Sequence, residues 1–478
     1  MSKHLRFALT NVYILSTCVI LVTVMSMIGC GGGSSTPPPP PPPPPATTST
    51  QIRIGDAAVD KIVDFELTIA SPIVATPTGG GSPVNITVGS NRLELSHMSG
   101  KLEALGVLNV PQGSYSSLAI TIQNPELVFV SGIGTLVPVS GSASQTVVVN
   151  LSPALTIPST PTLLNVDVNI ANSITTDASG NVTGFNFSSS SFSITTSAIG
   201  PEASQEDKSG EIEGVTGLVS SINGTNFVLN VGQSGAQLTF ATDATTQFTD
   251  GLTTLASALN QIVEVEGVTK SDGTLFAKKL EGLETPTGAE VDGLVTLVVG
   301  NPATSLTLLA HDGIGTGMDN TKVGVSFFIN VNGLASSKYR IDLGKIDTSG
   351  LTVPGPSFPF DPTTIHAGQR IEVETIAAVP AAGGTITAEK VFLEQQAISG
   401  TVANFTPGSG GAATFDLNLP SDSNLAVLSG QSVVHVFQQP GTNNQFGTIS
   451  NAKTVRVRGL LFFTGTTFNM IARRITAP

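Results

Sequence analysis

Tryptophan is missing from this 478-residue sequence, and aromatic residues make up only 5% of it. Platforms for stacking sugar rings would have to come from Phe, Tyr115 or Tyr339. Charge is scarce as well: Asp, Glu, Lys and Arg total 12%, with 21 cationic against 34 acidic residues. The net charge of −13, with no basic run to overturn it, argues against nucleic acid and anionic membrane surfaces as partners, because Lys/Arg patches hold both. Cysteine is limited to Cys18 and Cys30, so no Cys ligand pair exists, and no His-Glu-x-x-His run replaces it. The remaining histidines after the first segment, His97, His311, His366 and His435, are far apart in sequence and read as surface or strand-end residues. There is no Gly-x-Ser-x-Gly elbow and no phosphate-cradling Gly-x-x-x-x-Gly-Lys loop. The expectation is a chain without enzymatic activity, resident metal or cofactor.

What is present begins at the N-terminus. Lys3, His4 and Arg6 precede an apolar stretch from Val12 to Ile28, interrupted only by Ser16, Thr17, Thr23 and Ser26, and no acidic residue occurs before Cys30. A basic start, an apolar middle and a small residue before the cut form the signal-peptide pattern, here over residues 1–29. Met27-Ile28-Gly29-Cys30 resembles the lipobox of bacterial lipoproteins. That resemblance implies cleavage before Cys30, a diacylglycerol on its thiol, and attachment to a membrane through that lipid. It also implies the outer membrane, since Gly31 stands where inner-membrane lipoproteins carry Asp. The alternative is an uncleaved transmembrane anchor, at about 17 residues near the short limit for a span. Either reading exports the rest of the chain. Processing removes Cys18 and acylation uses Cys30, so no disulfide remains to stabilise the exported part. Removing residues 1–29, with Lys3 and Arg6 and no acidic residue, shifts the net charge from −13 to −15.

Residues 30–50 form a tether. Gly31 to Thr36 is Gly/Ser-rich, and Pro37 to Pro45 are nine consecutive prolines. Such a run is a semi-rigid left-handed helix of roughly 28 Å.

Beyond it, β-branched residues in short runs, separated by Gly, Asn, Asp and Pro, predict an all-β chain. Leu252 to Leu259 is the best candidate for a short helix. Residues 51–200 are expected to form an antiparallel β-sandwich. Val63 to Ile69 alternates strictly, and further strands are expected at Val84–Val88, Leu105–Val110, Ser116–Ile122, Glu126–Val130, Thr146–Leu151, Asn165–Ile170 and Ser191–Thr196. Three stretches in this segment, Ile54-Gly55-Asp56-Ala57-Ala58-Val59-Asp60, Val110-Pro111-Gln112-Gly113-Ser114-Tyr115 and Leu163-Leu164-Asn165-Val166-Asp167-Val168, make it resemble domain of unknown function 4382. The resemblance implies a β-sandwich borne on envelope lipoproteins and no known activity. The polar segment 201–211 reads as a linker.

A repeat follows. Three units open alike: Val215-Thr216-Gly217-Leu218-Val219, Val291-Asp292-Gly293-Leu294-Val295 and Ile398-Ser399-Gly400-Thr401-Val402. Each has an alternating strand: Val263-Glu264-Val265-Glu266, Ile371-Glu372-Val373-Glu374 and Val455-Arg456-Val457-Arg458. They close at Ala277-Lys278-Lys279-Leu280, Ala388-Glu389-Lys390-Val391 and Ala472-Arg473-Arg474-Ile475. The units occupy 212–284, 285–395 with an insertion at 300–364, and 396–478. With five or six strands each, they are expected to close into small β-barrel-like, OB-like repeats. Period-two alternation turns the valines inward and the six charged residues toward water. The replacement of Glu by Arg in the third unit is what a solvated face permits, and it argues against metal at the Glu pairs. The Gly-x-Val opening, the Val-x-Val-x-Gly strand and the Asp272-Gly273-Thr274 turn make these units resemble domain of unknown function 5666.

Asp177 to Asn181 and Asp312 to Asp319 offer loop oxygens but complete no calcium loop, and read as turns. The sequence therefore suggests a lipid-anchored envelope protein of non-catalytic domains that bind envelope proteins or extracellular polymers. The alternatives are a hydrolase with its site in the 300–364 insertion and a purely structural spacer.

Overall fold

Ile52 and Ile54 alternate along one strand and Phe65, Leu67 and Ile69 along another, and all five are buried in one shared core. The computed structural model describes residues 44–477 apart from 58, 90, 99–100, 233–234 and 283–287. The signal segment 1–29, Cys30 and the tether up to residue 43 lie outside the described residues. Ala46–Pro478 is one compact unit, all-β in character. No helix among the described residues is long and apolar enough to cross a membrane.

The first module is a sandwich of β1 (Thr47–Ala57), β2 (Ile62–Pro77), β3 (Val84–Ile86), β4 (Asn91–Glu94), β5 (Leu102–Pro111), β6 (Gly113–Val130), β7 (Leu136–Ser140), β8 (Ser144–Ile157), β9 (Thr162–Asn169), β10 (Ile174–Thr176), β11 (Val182–Phe185) and β12 (Phe192–Ala198). One sheet runs β12-β9-β1-β5, the other β3-β2-β6-β7, with β4 also on β2 and β8 on β6. The antiparallel expectation needs one amendment: β1 and β9 are parallel, with Ile52 opposite Leu164. A parallel pair needs a long crossover, and here the second sheet together with β5 lies between the two strands. The strands expected at Ser116–Ile122 and Glu126–Val130 are one strand, β6. Asn124, at φ +46°, takes up the irregularity while β2 stays paired on both sides of it.

Three barrels follow. The first holds β13 (Glu211–Asn223), β14 (Asn226–Val231), β15 (Gln237–Ala241), β16 (Gln247–Thr249), β17 (Ile262–Thr269) and β18 (Leu275–Gly282). The second holds β19 (Ala289–Gly300), β20 (Ala303–Gly315), β21 (Ser326–Asn330), β22 (Tyr339–Ile341), β23 (Arg370–Thr375), β24 (Thr385–Thr387) and β25 (Lys390–Leu393). The third holds β26 (Gln395–Pro407), β27 (Ala413–Asn418), β28 (Val433–Asn444), β29 (Thr454–Phe463) and β30 (Phe468–Thr476). The third closes in the order β26-β27-β28-β30-β29. The first closes the same way, β18 returning parallel to β15. In the second, the final strand is split: β24 runs parallel to β21 and β25 antiparallel to β23. All three thus share one strand order, with the last strand parallel to the third.

The repeated Gly and Ala have a steric cause. A Cβ on Gly267 would stand 2.2 Å from the Phe276 carbonyl, and one on Gly459 would stand 2.0 Å from that of Ile471. Both glycines sit at a bulge, opposite Ala277 and Ala472. The backbones approach so closely there that only the smallest side chains fit.

Three further expectations are corrected. The 300–364 insertion contains β20 and β21, two barrel strands; the added chain runs between β21 and β23. That added chain is a wedge, with Phe358 set edge-on to Phe437 at 5.0 Å and to Phe462 at 5.4 Å, joining the cores of the second and third barrels. The 201–211 segment is packed rather than free. Gln205 donates to the carbonyls of Gly200 (2.9 Å) and Thr269 (2.6 Å) and accepts from the Thr269 N–H (3.1 Å). The helix expected at Leu252–Leu259 is a 3₁₀ turn, Leu255–Ala258, capped by Thr254. The α-helix that does form, α1 (Asn424–Ser429), is capped by Ser423 and ends at Gly430 with φ +72°. Its own Val427 and Leu428 cover an apolar seam formed by Val63, Val128, Leu294 and Leu309.

Candidate functional site

The alternation of the repeat strands holds, but its outer face does not meet water. Val263, Val265, Ile371, Val373, Val455 and Val457 fill the barrels, each at 0% exposure. Their charged neighbours point away from the barrel, yet Arg456 and Arg458 are buried and Glu264, Glu266, Glu372 and Glu374 are only half-exposed. The solvated-face expectation for these six is therefore corrected. The modules pack with these faces toward one another, and Glu264, Glu266, Glu372, Glu374 and Arg458 line a charged chamber, while Arg456 lines a separate cavity.

The chamber has two adjoining lobes, of about 110 and about 390 Å³, that share Glu264, Glu290, Asp342, Glu372 and Glu394 in their walls. Strand register explains the crowding: Glu290 lies opposite Glu374, and Asp292 opposite Glu372. Like charges directly opposite are unfavourable unless paired or protonated. Some are paired. Arg370 Nε donates to Asp292 Oδ1 at 2.9 Å, and Lys390 meets Glu374 at 3.1 Å. Lys279 meets Glu266 at 3.4 Å and also pairs with Glu281. The Glu-to-Arg change in the third unit is complementary charge rather than a neutral swap. Burial would raise Glu213, but Arg458 and Arg474 outweigh it and hold its carboxyl low. Arg473 reaches both Glu206 and Glu211 at 3.3 Å.

Other carboxyls are driven toward the protonated form. Burial, reinforced by neighbouring acids, pushes Glu264, Glu372 and Glu394 well above the usual range. Burial also raises Glu290, to about 7, although a hydrogen bond from Glu372 works against it. Asp312 is raised by burial to about 6. Asp292 stays low because Arg370 outweighs its burial.

Two of the four histidines are not at the surface. His97 and His311, distant in sequence, are both buried and line one small cavity together with Glu94, Glu103 and Asp312. His97 Nδ1 is 2.8 Å from Glu94 and Nε2 is 3.3 Å from Glu103. Burial disfavours its charged form, yet Glu103 and Glu94 raise it to about 9. Burial alone would raise Glu94, but the hydrogen bond from His97 brings it down to about 2. His311 is lowered by burial. His366 packs tilted against Phe463, ring centroids 4.0 Å apart, and His435 bonds Asp416 at 2.5 Å. Sequence reasoning missed the first pair because nothing local signals a cavity shared across two modules.

Among the described residues, no group of three His, Cys, Asp or Glu side chains is placed to hold a metal ion. Asp177 accepts from the N–H groups of Ser179 (2.8 Å) and Asn181 (2.9 Å), and Asp319 from that of Thr321 (2.9 Å), as turns do. A separate cavity of about 390 Å³ gathers residues from two of the first-domain stretches, Asp56 with Asn165 and Asp167, beside Arg456 and Arg474. Burial pushes Asp56 well above the usual range, with Arg456 opposing.

Residues 216–281, the first barrel, match the family described as domain of unknown function (DUF5666). No curated protein matches the sequence. Solved structures with a similar trace include a deletion mutant of the single-stranded DNA binding protein from Thermus aquaticus, at 13% identity, covering 40% of this chain and 93% of that one, TM-score 0.15. A second is Drosophila Unr CSD456, at 10% identity, covering 56% and 98%, TM-score 0.12. A third is a multidomain protein with nucleic acid binding domains from Streptococcus pneumoniae TIGR4, at 11% identity, covering 54% and 72%, TM-score 0.11. Overlaps this low carry no argument about what this chain binds. The exclusion of nucleic acid drawn from net charge is corrected on other grounds: an average charge cannot exclude a local cationic cluster. Net charge is an average, and it hid the collection of Arg456, Arg458, Arg473 and Arg474 in one barrel.

Proposed function

We propose that the protein is a lipid-anchored, non-catalytic binding protein of the bacterial cell envelope, fixed to the outer membrane through Cys30 and engaging envelope proteins or extracellular polymers. The observation that carries the binding reading is the polar cavity at the junction of the β modules. The anchor reading rests on Met27-Ile28-Gly29-Cys30 and the proline run behind it. The resemblance of the first domain to domain of unknown function 4382 agrees with an envelope lipoprotein.

The test is fractionation of cells producing the native protein or Cys30→Ala, with protease added to intact cells. Release of the variant from membranes is expected. Cleavage of the native protein on unbroken cells would put the body outside; protection until the outer membrane is opened would put it in the periplasm. A variant that stays in the membrane would refute the lipid anchor.

One observation favours the hydrolase reading as second. Glu290 is held near 7 while Asp292, two residues along the same strand, is held ionised, which is the split that an acid/base pair uses. The 300–364 segment adds Asp342 and Lys345 to that chamber. Release of reducing ends from envelope polysaccharide, abolished in Glu290→Gln, would favour this reading; no release would leave the binding one.

A further inference from the structure

We propose that the chamber between the first and second barrels is a binding site for a linear aliphatic polyamine. The inference rests on the binding reading above and gives it a ligand.

The first argument is charge that the protein does not neutralise. Lys279 is taken by Glu266 and Glu281, and Lys390 by Glu374. Among the described residues, no Lys or Arg stands within ion-pair distance of Glu264, Glu290, Asp342, Glu372 or Glu394, the five acids common to both lobes. Crowded, partly desolvated carboxyls without a cation are costly when ionised, and Glu264, Glu372 and Glu394 are pushed toward the neutral form. A bound cation would reverse that and release protons.

The second argument is independent of charge. Gln395, 4% exposed, lines the smaller lobe, and its side-chain Oε1 is buried without a hydrogen-bond partner. A buried acceptor that lacks a donor is rare in folded proteins and calls for an N–H or O–H. An ammonium group supplies both the donor and the charge.

The third argument decides the class of cation. Among the described residues, no three acidic, histidine or cysteine side chains converge closely enough to hold a metal ion. The acids are instead spread over the wall of a cavity of about 390 Å³, eight carboxyls against Lys279, Arg340 and Lys390. A ligand with its positive charges spread along a chain matches that wall, whereas a single ion does not. Ile341 and Phe392 line the same lobe and give methylene segments an apolar surface.

Spermidine is the probe. It would be titrated calorimetrically into the full-length protein in detergent, at neutral pH and about 0.15 M salt, in two buffers of different ionisation enthalpy. The expected result is one saturable site, proton release that makes the heat buffer-dependent, and affinity lower by about tenfold or more in Glu394→Gln and in Asp342→Asn. Asp342 lies just past β22, so its variant serves if Glu394→Gln fails to fold. No saturable heat, an affinity unchanged in both variants, or an equal effect of magnesium chloride at matched ionic strength would overturn the proposal. Cys30→Ala fractionation is read separately. Release from membranes without spermidine binding would remove the ligand and leave the envelope reading intact.

Discussion

Arg370 of the second barrel grips Asp292 on the neighbouring strand, with Nε 2.9 Å from Oδ1, while its Nη1 reaches the backbone carbonyl of His97 in the sandwich at 3.2 Å. A third contact, Nη1 to the Gln395 carbonyl at 3.3 Å, ties in the start of the third barrel. One buried guanidinium thus joins three modules that the sequence presents as separate units. Replacing it by Met would leave Asp292 buried without its cation. The expected loss is about 3–5 kcal/mol of unfolding free energy in urea. A loss under about 1 kcal/mol would mean the pair behaves as a solvated surface bridge.

The pH dependence of stability follows from groups that hold protons more tightly when folded. Glu290 moves from 4.5 to about 7, and His97 from 6.5 to about 9. Each contributes stability that is complete below its unfolded value and is lost as pH rises through the folded value. Glu94 acts in the opposite sense: lowered from 4.5 to about 2, it contributes above the unfolded value and is lost as pH falls. The melting temperature should therefore peak near pH 4.5–5 and decline steadily toward pH 9. Glu290→Gln should flatten the lower part of that decline. A melting temperature that rises between pH 5 and 8 would contradict the buried-carboxyl assignment.

Gly459 should not tolerate a methyl group. A Cβ there would stand 2.0 Å from the Ile471 carbonyl, a backbone atom that cannot swing away. Gly459→Ala is expected to cost about 1–3 kcal/mol by overpacking. Gly465→Ala has open space around it and only the cost of φ +89°. Its loss should be smaller, about 1 kcal/mol. Equal losses in chemical denaturation would argue against the close strand approach.

The joint between the sandwich and the first barrel can be tested at Gln205. Gln205→Ala removes three hydrogen bonds at a buried position and leaves the Thr269 N–H and carbonyl without that partner. A loss of about 1–3 kcal/mol is expected. Protease cleavage between residues 200 and 211 should also accelerate. Rapid cleavage there in the native protein would contradict the packed arrangement of this segment.

Much of each barrel was legible because its signals are local. Val263 and Val265 alternate with charge, Gly267 and Ala277 recur at matching places, and a strand can hide only one of its faces. These facts are enough for small all-β repeats, and the shared strand order of the three barrels agrees. The insertion was misplaced because β20 and β21 of the second unit carry no motif like the opening or the closing one. The wedge around Phe358 therefore could not be told from barrel strands.

The sequence by itself determined which side of each strand fills a barrel, since apolar residues at every second position can be buried on one face alone. It could not determine what covers the opposite face. Glu264, Glu372 and Arg458 read as solvated because most charged side chains are. They line a chamber instead because four modules pack around it, with Arg370, Lys390 and Arg473 supplying part of the counter-charge. Desolvation and pairing depend on distances between residues far apart in the chain, such as His97 and His311. Tertiary structure alone decided those distances, and with them which carboxyls ionise and which wall faces a ligand.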